Sequence, residues 1–405
     1  MNTFDASRVR ELYKNNRDVI SLFSGAMGVD IGMGKAGLNV VIGQDFDAAC
    51  VETMKANGHN VLGGDIREIQ PETILEMTGL HRGEPFMICG GPPCQPFSTA
   101  GKRLGINDPR GSLFMEFIRM IDYIRPRFFV MENVKGLMSA PLKHVPSTEK
   151  DDTDPEQRLG TVLEVILSEF NKLGYKTVYG VLDAVNYGVP QFRERFVLIG
   201  SRDYEDIFLP YPTHFQKHQN KEFRWRTIGD VIVDIENDDS ECASLSEERK
   251  NYLQMVPEGG NWKDLPEDII PIAMGGAYKS GGGKVGFYRR LAYNQPSPTI
   301  TTSPGQKATM LCHPTKDRTL SVREYARIQQ FPDDWKFVGN TSAKYRQIGN
   351  AVPVGLAEAI GNAIVAAAEK TAVVPTKRFR GTGVHSKIKE AIEMGGTQSG
   401  YYFNL

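Results

Sequence analysis

The chain has 405 residues, 40% of them hydrophobic and 24% charged, and a formal net charge of −1 at pH 7. That is an ordinary globular composition, long enough for two or three domains of roughly 150 residues, and the charge argues against a chain that is basic throughout. No apolar run approaches the ~20 residues of a membrane span, and the start MNTFDASRVRELYKNN lacks the apolar stretch of a signal peptide. Five cysteines at 50, 89, 94, 242 and 312 form no CxxC pair, so neither a zinc site nor a disulfide framework is expected, and a reducing cytoplasm fits best.

Asp18–Phe23 is a short apolar run that predicts a strand. The small-residue turn Ser24–Gly28 follows, and VDIGMGKAGLNV predicts a helix ending near Gly37. Strand, turn and helix open a nucleotide-binding βαβ unit, although small-residue turns after strands are common and the signal is weak by itself. The next strand, Val40–Gly43, ends in Gln44-Asp45, where an acid can accept hydrogen bonds from ribose hydroxyls. A third short strand around Val61 ends in Gly64-Asp65. Together these strand ends predict a site for an adenosine-bearing molecule. No GxxxxGK[ST] phosphate loop occurs, and two carboxylates disfavour a highly anionic nucleotide. S-adenosylmethionine, a sulfonium cation without phosphate, suits the site better than NAD or ATP.

Phe86–Cys89 predicts a buried strand, after which Gly90-Gly91 allow a sharp turn and Pro92-Pro93 restrict the chain before Cys94. A thiol at the carboxyl end of a core strand stands where open α/β sheets place their ligands; a Pro/Gly turn with an incidental buried cysteine is the ordinary alternative. Thr99–Gly111, with Lys102, Arg103 and Arg110, reads as a mobile loop beside the thiol, and a helix follows over Ser112–Ile124. The strand Phe128–Met131 then ends in Glu132-Asn133-Val134, a second functional group at the same sheet edge. Pro141–Pro155 is polar and proline-rich and predicts an exposed insertion. A helix over Arg158–Leu173 and strands over Tyr175–Leu182 and Arg195–Ile199 follow. Arg193 and Arg195 in QFRER share one face of an extended segment, placed to hold a base edge, a phosphate or a carboxylate, or to form a plain surface ion pair.

From Ser201 the chain becomes polar and irregular, and a second domain is expected at 205–335, with 1–204 completed by 336–405 as the first. No acidic residue lies between Asp268 and Asp317, while Lys279, Lys284, Arg289, Arg290, Lys307 and Lys316 interleave with Tyr278, Phe287, Tyr288 and Tyr293. Cations for phosphates and flexible loops for grooves make this a candidate nucleic-acid surface, against the alternative of a solvated basic loop. Ser321–Gln330 and the alanine-rich Val354–Ala368 predict helices, the latter apolar enough to return to the first domain's core. The tail 371–405 carries no chemistry that the sequence identifies.

With these pieces assembled, the chain resembles bacterial-type DNA (cytosine-5)-methyltransferases over nearly its whole length. The motifs occur in the family's order: FSGAMG at 23–28, QDFD at 44–47, GDI at 64–66, GGPPCQPFS at 90–98, ENV at 132–134, QFRER at 191–195, RTLSVREYARIQQFP at 318–332 and YRQIGNAVP at 345–353. The resemblance implies an α/β fold, an S-adenosylmethionine-dependent methyltransferase Rossmann-like sheet with a smaller target-recognition domain. It implies transfer of methyl from S-adenosylmethionine to C5 of a cytosine extruded from duplex DNA. Cys94 is then the nucleophile, Glu132 faces N3 and the amino group of the base, Arg195 contacts its O2, and Arg193 braces the catalytic loop. Phe23, Gly25, Gly28, Asp45, Phe46, Asp65, Ile66, Pro92, Asn350 and Val352 become cofactor contacts, with no metal. Gln95, Ser98, Lys102, Arg103, Arg289, Arg290, Thr299 and Ile300 become DNA contacts. Met27 departs from the glycine more usual in the family. A monomer working beside a restriction endonuclease fits the pattern. A related tRNA-modifying enzyme and a catalytically silent DNA-binding regulator remain the alternatives; the long 205–317 segment disfavours the first, and intact Cys94, Glu132 and Arg195 the second.

Overall fold

Apolar, β-branched runs in this chain form short strands, and seven of them join one sheet. They are β1 (Asp18–Leu22), β2 (Asn39–Asp45), β3 (Val61–Gly63), β4 (Met87–Gly90), β5 (Phe128–Val134), β6 (Lys176–Asp183) and β7 (Glu194–Ser201). The computed structural model describes residues 9, 12–93, 113–142, 154–237, 241–279 and 286–371. The strand order is β3-β2-β1-β4-β5-β7-β6. The first five strands run parallel, whereas β7 is antiparallel to both β5 and β6. This departs from the all-parallel 3-2-1-4-5-6 order of dinucleotide-binding sheets.

Helices α1 (Gly28–Lys35), α2 (Ala48–Ala56), α3 (Pro71–Thr78), α4 (Leu113–Ile124) and α5 (Thr161–Lys172) cross between strands or cover the sheet. Parallel strands covered on both faces become continuous hydrophobic runs, and every residue of β4 is buried. The core gathers Ile20, Leu22, Ile88, Phe117, Phe129, Phe170 and Leu198. Phe129 stacks on Phe170 with centroids 4.0 Å apart. Its cross-strand partner is Gly200, where an added Cβ would fall inside the Phe129 ring.

The chain divides into two compact units. The first takes the described residues within 1–183, 194–211 and 357–405, and the second those within 184–193 and 212–356. These limits differ from 204 and 336. Residues 205–211 stay with the sheet because Glu205 accepts from Arg127 and Ser201, while 184–193 go to the second unit because Arg193 bonds its carbonyls.

The second unit contains α6 (Glu247–Gln254), α7 (Val322–Ile328) and α8 (Thr341–Asn350), with single turns between them. Among its described residues there are isolated bridges, such as Gln191 with Ser297 and Arg290 with Cys312, but no strand. Its core holds Leu253, Val256, Met274, Phe287, Tyr288, Met310 and Cys312. Phe287 and Tyr288, expected to interleave with the surface cations, are thus interior residues.

Thr341–Ala368 taken as one span is long and apolar enough to cross a membrane by length and composition. The chain breaks at 351–353, however, and α9 (Val354–Ala368) is a core helix: Leu356, Ala357, Ile360 and Ile364 are buried, and Gly361 approaches Met33 of α1 and Ala36 just after it.

Candidate active site

The turn after β1 is built on left-handed backbone at Phe23 (φ 54°), Gly25 (φ 56°) and Met27 (φ 67°). Two of the three are not glycine, which places strain of order 1–2 kcal/mol each at this strand end. Left-handed backbone also explains why glycine suits position 27. Here Met27 accepts the conformation and buries its side chain completely. Asp45 holds the turn from β2, its Oδ2 accepting from the Gly25 N–H at 2.7 Å and its Oδ1 from the Asp47 N–H at 2.8 Å. Burial pushes the Asp45 carboxyl up, against the pull of these N–H groups. Gln44, buried beside it, donates from Nε2 to the Gly64 carbonyl at 2.7 Å, tying β2 to the end of β3.

The ring of Phe46 is 75% exposed, and open space lies where a Cβ on Gly25 or Gly64 would stand. Asp65 is bound by Arg67 through both carboxylate oxygens, and that partner lowers its pKa. Gly28 and Ile66 are buried beneath these ends. Carboxylates, an exposed ring and open backbone fit an adenosine group without phosphates. Beneath the turn, Asp30 of α1 is 3% exposed. Burial pushes its carboxyl up to about 7, the Ser21 hydroxyl pulling the other way.

Glu132 and Arg195 meet at the other side of the same sheet edge. Glu132 lies opposite Val197 and Arg195 opposite Val134, so they are diagonal neighbours on one face of the β5–β7 pair. Their contact, Arg195 Nε to Glu132 Oε1, is 2.7 Å, with 13% of each side chain exposed. A Cβ on Gly91 would stand 2.9 Å from Glu132 Oε2, so a side chain there would push this carboxylate aside. Asn133, which sequence reasoning left without a role, donates from Nδ2 to the carbonyl of buried Pro92 at 2.9 Å. It therefore fixes the backbone two residues ahead of Cys94. Cys94, Gln95, Ser98, Lys102 and Arg103 lie outside the described residues.

The expected arginine pair does not act as a pair. Arg193, 1% exposed, donates to the carbonyls of Ile300 (3.2 Å), Gly349 (2.6 Å) and Ala351 (3.0 Å), all in the second unit. Arg195 instead faces Glu132 in the first. Arg290 also departs from its expected place on a base edge. It is 4% exposed, and all five of its N–H groups are spent: on the carbonyls of Val256, His313, Lys316 and Leu253 and on Asp317 Oδ1. A guanidinium so occupied has no donor left for DNA. Arg289 is half-buried, and burial lowers its pKa. Thr299 is exposed and donates to the Phe192 carbonyl at 2.7 Å, while Ile300 is buried. Asn350 is exposed at the end of α8, and Val352 is buried.

A doubly wound sheet with one inserted antiparallel strand and acidic, open strand ends is the Rossmann-like fold of S-adenosylmethionine-dependent methyltransferases. Residues 17–366 match the family model of C-5 cytosine-specific DNA methylases. The Type II methyltransferase M.Sau96I of Staphylococcus aureus is 39% identical over 365 residues, 89% of this chain and 78% of the relative. M.Eco47II of Escherichia coli, another Type II methyltransferase, is 38% identical over 88% of this chain and 80% of its own. The crystal structure of a candidate DNA modification methyltransferase encoded within an Escherichia coli prophage superposes with a TM-score of 0.60, covering 87% of this chain and 99% of that one at 24% identity. The chain belongs to the C-5 cytosine-specific DNA methylase family.

Proposed function

We propose that this DNA (cytosine-5)-methyltransferase is the modification enzyme of a Type II restriction-modification system, acting as a cytoplasmic monomer on double-stranded DNA alongside a restriction endonuclease. The names of its relatives support the biological setting. The observation that carries the chemistry is the Glu132–Arg195 pair at 2.7 Å, beside backbone that Asn133 holds just before Cys94.

Cytosine C5 is a poor nucleophile within the aromatic ring. Addition of the Cys94 thiolate to C6 makes C5 enamine-like, and thiolate suits the task because it both attacks and leaves well. Glu132 donates to N3 as negative charge develops in the ring. Arg195 holds O2 and, through Nε, fixes the carboxyl group. S-adenosylmethionine, when bound, would supply an electrophilic methyl group and leave as S-adenosylhomocysteine. Once the C5–methyl bond has formed, a base removes the C5 proton, N3 returns its proton to Glu132, and the C6–S bond breaks, returning the thiolate.

Phe23, Gly25, Gly28, Asp45, Phe46, Asp65, Ile66, Pro92, Asn350 and Val352 are the proposed cofactor contacts. Gln95, Ser98, Lys102, Arg103, Arg289, Thr299 and Ile300 are those for DNA; Ile300, being buried, acts by shaping the backbone. The second unit serves target recognition. Cys94→Ala is expected to abolish methylation, read by bisulfite sequencing of DNA from expressing cells, while DNA binding persists. A 5-fluorocytosine duplex with the methyl donor is expected to trap the unaltered enzyme, but not this variant, as a covalent adduct. Turnover by Cys94→Ala overturns the assignment.

A further inference from the structure

The motif RTLSVREYARIQQFP has no part in the chemistry above, yet its Gln329 is fully buried in a polar chain. The Ile300 N–H donates to Gln191 Oε1 at 3.0 Å, and Gln191 Nε2 donates to Gln329 Oε1 at 2.9 Å. Gln329 Nε2 in turn donates to the carbonyls of Ile348 at 2.8 Å and Ala351 at 2.9 Å. Arg193 spans the same two ends, from the Ile300 carbonyl to those of Gly349 and Ala351. Backbone closes on backbone there: a Cβ on Gly349 would stand 2.5 Å from the Thr301 oxygen. Each glutamine uses its acceptor towards one end of the chain and its donors towards the other. Apolar replacement leaves a buried donor unpaired, the Ile300 N–H for Gln191 and the Gln191 amide for Gln329, and the segments must shift to satisfy it, although the Ile348 and Ala351 carbonyls keep the Ala351 N–H and Arg193 respectively.

We propose that Gln191 and Gln329 form one positioning device that holds two ligand-facing segments, Thr299–Ile300 and Gly349–Ala351, in a single geometry. One lesion in it weakens the binding of both ligands, although neither glutamine is proposed to touch either of them. This rests on the reading of Thr299 as a DNA contact and Asn350 as a cofactor contact.

Gln329→Met and Gln191→Met are each expected to raise two dissociation constants by about 2- to 30-fold: that for S-adenosylhomocysteine without DNA, and that for a duplex carrying the site found by bisulfite sequencing. The loss appears in KM more than in kcat. Gln330→Met is the control, because Gln330 bonds the Gly188 carbonyl and the Gly355 N–H instead, and it leaves both constants unchanged. In the unaltered enzyme, S-adenosylhomocysteine alone is expected to slow hydrogen exchange at the Ile300 amide, which decides the matter if the variants fail to fold. A change in only one constant, in neither, an equal change from Gln330→Met, or an Ile300 amide indifferent to S-adenosylhomocysteine overturns the device. Thr299→Ala or Asn350→Ala leaving its own ligand's affinity unchanged refutes the contact reading instead, whatever the glutamine variants do.

Discussion

The two units differ in how much of their backbone is satisfied by strand ladders, and this sets how much of that work falls to polar side chains. In the first, the carbonyls and N–H groups of β4, β5 and β7 pair along ladders. Glu132 and Arg195 face each other there, and Arg195 also donates to the Glu194 carbonyl at 2.9 Å. In the second, where no described residue forms a strand, side chains do that work. Arg290 takes four carbonyls, Arg193 three and Gln329 two. Buried main-chain oxygens must find donors, and a sheet-poor unit finds them in arginine and glutamine. Arg193 and Arg195, two residues apart in one motif, thus take different partners, main-chain carbonyls for the first and a carboxylate for the second.

The largest expected effects sharpen that contrast. Glu132→Gln should slow methyl transfer by about 10²–10⁴-fold, the usual worth of a positioned acid, while thermal stability changes by no more than about 1 kcal/mol. An unchanged single-turnover rate removes the acid role. Arg290→Met should do the reverse. It removes a donor from four carbonyls, of which that of Leu253 keeps the Val256 N–H, and from the Asp317 carboxylate, a lesion costing on the order of 3–5 kcal/mol, and denaturant unfolding should show the loss. Weaker DNA binding at full stability would return Arg290 to the interface and break the comparison.

Asp30 extends the test to pH. Its carboxyl ionises near 3.8 in the unfolded chain and at about 7 in the fold. Between those values the unfolded state has lost a proton that the folded state keeps, so stability falls as pH rises through this window, by at most about 1.4 kcal/mol per unit. Above about 7 the dependence levels off. Asp30→Asn should flatten melting-temperature profiles between pH 4 and 7, and an unaltered slope would show that another group governs it.

Much of this was legible in sequence, and the exceptions share a cause. Strand runs and turns are local, so β1, β4 and the carboxylates Asp45 at the end of β2 and Glu132 within β5 were readable from their own residues. The Glu132–Arg195 contact was not, because it depends on β7 running antiparallel beside β5, a register no local pattern specifies. Arg290 misled because its burial depends on carbonyls of Leu253 and Val256, more than thirty residues away. Asn133 was passed over for a similar reason, since its partner Pro92 lies 41 residues earlier.

The smallest effect concerns Met27, where packing and backbone strain oppose each other at one residue. Removing its buried side chain forfeits burial and opens a cavity, worth roughly 2–5 kcal/mol for Met→Ala. Left-handed backbone at a residue with a Cβ costs about 1–2 kcal/mol, which glycine avoids. Packing outweighs strain, so Met27→Gly and Met27→Ala should both destabilise the protein. They should not do so equally. Alanine keeps the strain and loses the packing, so the glycine variant should be the more stable by about 1 kcal/mol, after its greater unfolded-state freedom has offset part of the relief. An alanine variant that unfolds later than the glycine one would mean that the turn after β1 stores no strain at this position.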